Sequence, residues 1–152
     1  MNGGGAGSTG TGKGTSDHSK SAIGKERDRL KEQFMKSFPE KFKATIIDEN
    51  GRDKIISVEV KAGDYKHIVN DSLKRRVIPT TKLNKLYSQL NHSYYKKWSY
   101  NDKEKHKSID KFYYFKVKGR SIYFNIARYK CKRQGGGFYY EYRLHSITKR
   151  CK

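Results

Sequence analysis

The chain has 152 residues, with Lys+Arg 35 against Asp+Glu 15 and a formal net charge of +20. That length allows one domain with a tail. The charge exceeds what solubility requires and points to a polyanionic partner: nucleic acid first, an acidic protein second, an anionic membrane third. No apolar run is long enough to span a membrane, and no charged start with an apolar run and a small-residue cleavage site encodes a secretory signal. The chain is therefore expected either in the cytoplasm or as part of a larger exported protein.

Residues 1–20 are Gly, Ser and Thr with scattered charge, which predicts a flexible linker before a single basic domain over 21–152. Ser21 to Phe38 carries Ile23, Leu30, Phe34, Met35 and Phe38 as a helical stripe, and Pro39 ends it. Phe42–Ile47 and Lys54–Val60 alternate as strands around Asn50-Gly51, a hairpin signal. Asp64 is placed to cap a helix through Leu73, with His67 in its first turn. Thr80 or Thr81 starts another helix, with Leu83, Leu86, Tyr87 and Leu90 at helical spacing. Asn91 to Asp110 is polar, basic and aromatic, and reads as a long exposed loop containing Trp98.

The last third reads as a three-stranded antiparallel meander over 111–117, 121–130 and 138–148. Gly119-Arg120 supplies a tight turn, and Gly135-Gly136-Gly137 breaks the chain again. The expected class is α+β, with N-terminal helices and a β-hairpin packed against this C-terminal meander. Alternation puts Ile122, Phe124 and Ile126 on one face and Tyr123, Asn125 and Ala127 on the other. In the last strand Phe138, Tyr140, Tyr142 and Leu144 oppose Glu141, Arg143 and His145. A sheet face of Tyr, Arg, His and Asn can stack bases and hold phosphates, or simply be solvated. Cys131 and Cys151 flank an extended strand at roughly 3.4 Å per residue, beyond disulfide reach, so both read as free thiols.

Cleaving RNA without a metal needs a base for the 2′-hydroxyl, an acid for the 5′-oxygen, and a cation for the phosphorane. The sequence offers those residue types. It shows no clustered carboxylates for a two-metal nuclease, no zinc spacing and no cofactor motif. His67 is the first candidate base, and a surface histidine is its plain alternative. His145 beside Arg143 is the second histidine. Arg128 and Lys118 lie at strand ends suited to a phosphate clamp. Ser146 and Thr148 can donate to a phosphate. Lys116, Lys118, Arg143, Tyr123, Asn125, Tyr142 and Trp98 are the candidate RNA contacts.

Gly63-Asp64-Tyr65-Lys66-His67, the helices ahead of the sheet, and the late meander together resemble the barnase–EndoU–colicin–RelE superfamily of small metal-independent ribonucleases. Within it, residues 61–148 look most like toxin domains at the C-termini of polymorphic bacterial and phage-borne toxins. The resemblance implies a site made of His67, of Arg128 or Lys118 from the sheet, and of Ser146 or Thr148 in the last strand. It implies cleavage of tRNA or another structured RNA without a cofactor. It also implies an acidic immunity protein as partner, an upstream delivery protein, and action in the cytoplasm of a target cell. Strict alternation sets Ser146 and Thr148 on the Leu144 side and Arg128 on the Phe124 side, unless a bulge re-aims them, and so favours His145 and Arg143. A non-catalytic nucleic-acid-binding module accounts for the same charge and aromatics.

Overall fold

The computed structural model describes residues 14–75, 77–101 and 108–151. Three α-helices, a 3-10 turn and six strands follow in the order α1 (Gly14–Ser37), β1 (Lys41–Ile47), β2 (Asp53–Glu59), α2 (Ala62–Arg75), the turn Thr80–Lys85, α3 (Leu86–Asn91), β3 (Ser93–Tyr100), β4 (Ile109–Val117), β5 (Tyr123–Lys132) and β6 (Phe138–Thr148). The class is α+β, as expected. Residues 1–13 of the expected linker lie outside the described residues, and α1 begins at Gly14, inside that segment, rather than at Ser21.

The strands form one sheet in the order β1-β2-β6-β5-β4-β3. All neighbours are antiparallel except β2 and β6, which pair in parallel through Val58–Tyr142 and Glu59–Arg143. The expected meander is present as β4-β5-β6. The expected loop is corrected in part: Ser93–Tyr100 is an edge strand on β4, and residues 102–107 lie outside the described residues. The sheet curls, so that β1 and β3, its two ends, line the same cavities.

The curl makes an inner and an outer face. The inner rows run Tyr95-Phe115-Phe124-Ile147, Trp98-Tyr113-Ile126-Leu144 and Tyr100-Lys111-Arg128-Tyr142. Phe42, Ile46, Ile56 and Val58 join them from the hairpin, and the helices add Leu30, Phe34, Phe38, Tyr65, Ile68, Val69, Leu83 and Leu86. Each fully buried Leu, Ile, Val or Phe among them contributes on the order of 1.5–3 kcal/mol by leaving water. Phe38 meets Phe34, Phe42 and Tyr87 edge to face. The Tyr65 hydroxyl donates to the Phe38 carbonyl at 2.7 Å, satisfying a backbone acceptor just past the end of α1.

Three strands carry an extra residue. Lys96 is extra in β3, Asp110 in β4 and His145 in β6. The β6 bulge matters most. Leu144 pairs with Ile126, but Ser146 pairs with Asn125, so the side-chain alternation reverses at His145. Ile147 turns into the core, and Ser146 and Thr148 move to the outer face.

Candidate nucleic-acid interface

The outer face is built from three cross-strand rows: Ser99-Phe112-Ala127-Arg143, Lys97-Tyr114-Asn125-Ser146 and Tyr94-Lys116-Tyr123-Thr148. Small side chains lie between large ones. Ala127, Asn125 and Ser146 are buried, while Phe112, Lys116, Tyr123, Arg143, His145 and Thr148 are half-buried around them.

Helix α2 runs along β6 beyond the short β2 pairing. Asp64 meets Arg143, His67 meets His145, and Ile68 and Ser72 line a cavity with Ile147. Asp64 is the third residue of α2 rather than its cap. Its Oδ2 accepts the Lys61 N–H at 2.9 Å, satisfying a donor that the helix start leaves open. The same carboxylate takes a fork from Arg143, with Nε at 3.1 Å and Nη2 at 2.8 Å. Hydrogen bonding to Asp64 raises the Arg143 pKa, against a smaller opposing effect of burial. The guanidinium also stacks 4.6 Å over the Tyr129 ring.

This arrangement carries His67 to His145. Because α2 begins at Ala62, His67 lies in the second turn and not the first. Its ring centroid stands 5.5 Å from that of His145, at an interplanar angle of 35°. His145 packs 5.3 Å from Phe112 on its other flank. His67 Nε2 lies 3.3 Å from Asp71 Oδ2, one turn along the helix. The bulge puts His145 at the start of the outward-turned segment. Asn125 Nδ2 donates to Ser146 Oγ at 2.9 Å and to Thr148 Oγ1 at 3.3 Å, and Thr148 donates to the Arg150 carbonyl at 2.7 Å.

The structure thus brings His67, His145, Arg143, Asn125, Ser146, Thr148, Tyr123 and Lys116 to one face. It does not bring Arg128, Trp98 or Tyr142 there. Those three lie on the inner face, in the rows of Tyr113 and Lys111. Arg128 is held by Asp110 through Nε at 3.0 Å and Nη2 at 2.7 Å. Burial pulls its pKa down, but the Asp110 hydrogen bond and nearby charges outweigh this and hold it above the usual range. Lys118 is exposed in the β4–β5 turn. Both cysteines are free.

Sequence reasoning missed Asp64 and Asp71 as partners of the site. Asp64, His67 and Asp71 recur at helical spacing, which sets all three on one side of α2. Among the described residues, no three or more His, Cys, Asp or Glu side chains gather as metal ligands would, and no helix is long and apolar enough to cross a membrane. Comparison with protein-family models, curated proteins and solved structures returned no match.

Proposed function

We propose that this domain is a metal-independent endoribonuclease of the barnase–EndoU–colicin–RelE type, acting on tRNA or another structured RNA. The observation that carries the reading is the meeting of His67 and His145, from a helix and a distant strand, at 5.5 Å on an outer sheet face. Two imidazoles at that spacing can reach different oxygens of one phosphodiester. His67 removes the 2′-hydroxyl proton, and the 2′-oxygen forms a bond to phosphorus. The bond from phosphorus to the 5′-oxygen breaks, and His145 gives that oxygen its proton. The products are a 2′,3′-cyclic phosphate and a 5′-hydroxyl. Arg143, fixed by Asp64, stabilises charge on the phosphorane. Lys116 and Tyr123 lie together in the row beyond Asn125 and Ser146, placed to follow the strand. The helix-then-meander order and the outward Ser146 and Thr148 support the superfamily reading, with Arg143 in the role that the resemblance gives to Arg128 or Lys118.

A toxin of this kind would be delivered within a larger protein into a target cell and held by an acidic immunity protein, for which a +20 chain is a fast electrostatic target. The second reading is a binding module that does not cleave. It is favoured by the pairing of His67 with Asp71 and by the use of the Ser146 and Thr148 hydroxyls in bonds to Asn125.

Incubation with total RNA and purified tRNA in EDTA separates the two. The wild type should give discrete fragments with cyclic phosphate ends. His67→Ala and His145→Ala should each slow cleavage by about 10²-fold or more. Wild-type rates in both variants would refute the assignment. Intact RNA with a salt-dependent gel shift would establish the binding module.

A further inference from the structure

On the inner face, Lys111, Arg128 and Tyr142 border a cavity of about 160 Å3 at the mouth of the curl. That is roughly ten times the space of about 10–15 Å3 that one water needs. Two of its cations are nearly buried, with Lys111 4% and Arg128 8% exposed. Buried cations need anions. Asp110 serves Arg128 through Nε and Nη2. Lys111 is met by Glu49, from the turn between β1 and β2, at 2.6 Å from Nζ. The same Glu49 oxygen lies 3.7 Å from Arg128 Nη1. Two nearly buried cations therefore converge on one oxygen atom.

The oxygen they share belongs to a detachable group. The Glu49 side chain is 66% exposed. The turn holds without it: Asp48 Oδ1 accepts the Asn50 and Arg52 N–H groups at 2.9 Å, and Asp48 and Arg52 close the backbone at 2.8 Å. Rotating Glu49 outward leaves the hairpin intact and opens the cradle. The walls are then Trp98, 4.3 Å beneath Lys111 Nζ, and Tyr140, 4.0 Å from the Arg128 guanidinium. Lys54 adds a third cation at the rim. Burial keeps the Tyr113 hydroxyl protonated, so it remains a donor.

We infer that this cavity is a second anion site, in which Lys111 and Arg128 take an oxygen of a phosphate group once Glu49 swings out. A phosphate fits the recess better than a carboxylate. It offers at least two anionic oxygens to the three cations, and it needs no polypeptide backbone to enter between Trp98 and Tyr140. Inorganic phosphate, a nucleotide and a nucleic-acid backbone all carry the group. The site lies on the opposite face from His67 and His145, and it stands whether or not that pair cleaves RNA.

Trp98 is the single tryptophan of the chain and lines the cavity, so its fluorescence reports from the cavity wall. The full chain is titrated with inorganic phosphate, uridine monophosphate, polyglutamate and a short DNA oligonucleotide, which has no 2′-hydroxyl to attack, at constant ionic strength. A saturable change is expected. Glu49→Gln should tighten it about fivefold, the effect of removing an exposed competing charge. Lys111→Met should abolish it, and Lys111→Arg should keep it. Saturation by the two small probes identifies a free-anion site, and saturation by the oligonucleotide alone identifies a backbone site. Either supports the inference. No saturable change in Glu49→Gln with any probe, or a change produced only by polyglutamate, would overturn it. His67→Ala should leave the titration unaltered, which separates failure here from failure of the ribonuclease reading.

Discussion

Asp64 ties the helix to the sheet, and its removal should be felt in both stability and function. The Asp64 side chain is 9% exposed and makes three bonds, two to Arg143 and one to the Lys61 N–H. Asp64→Ala leaves a guanidinium without its anion and a helix start without its acceptor. Breaking one side of a buried ion pair costs about 3–5 kcal/mol. The Arg143 side chain keeps 22% exposure, so the lower end, about 3 kcal/mol, applies here. Loss of the N-terminal acceptor adds roughly 1 kcal/mol. The total of about 4 kcal/mol is a large share of the roughly 5–15 kcal/mol that stabilises a typical domain. For a chain of this size it should lower Tm by roughly 8–16 °C. Urea and thermal unfolding followed by far-UV circular dichroism measure it. Asp64→Asn, which keeps the shape and an acceptor oxygen, should cost about half as much. Paired with Arg143→Leu in a double-mutant cycle, Asp64→Ala should show a coupling of roughly 2 kcal/mol. A cost below about 1 kcal/mol, or an equal cost in the Arg143→Leu background, would refute the idea that this fork joins α2 to β6.

Two further predictions test the outer and inner faces separately. Asn125→Ala removes the donor shared by Ser146 and Thr148 from a site that is 7% exposed, and should cost about 1–3 kcal/mol in urea unfolding while leaving the inner rows packed. On the inner face, the hydrogen bond from Lys111 holds the Glu49 carboxyl below its usual pKa. A depressed carboxylate gives a contact that is fully present above the unfolded value and is lost as pH falls through the folded one. Trp98 fluorescence should therefore be flat from neutral pH down to the ordinary carboxylate range. A transition should follow below it, and it should be absent in Glu49→Gln.

Periodicity made most of the fold legible. The hairpin, α2 and most of the meander carry apolar repeats, and each lies close to where its repeat puts it. The parallel pairing of β2 with β6 has no such signal, because it joins segments distant in sequence through two residues only. Strand β3 carries no regular alternation that would mark it as a strand. Tyr95 and Trp98 both face inward, three residues apart, since Lys96 is the extra residue between them. The same irregularity hides the site. Tyr142 and Leu144 keep the two-residue period, and then Ile147 faces inward after a step of three, with His145 as the extra residue.

A step of three between inward apolar residues is therefore the local mark of a bulge in both strands, and it can be read without a structure. Applied to 138–148, it reverses the parity after Leu144 and sets Ser146 and Thr148 beside Asn125, where strict alternation had put them in the core. It leaves Arg128 on the inner side, because β5 carries no extra residue between Phe124 and Arg128. The candidate site is thus partitioned by one inserted residue. The histidine that makes the bulge is also the histidine that the bulge presents to His67, so a strand of regular register could not place both His145 and the Ser146–Thr148 pair on the same face.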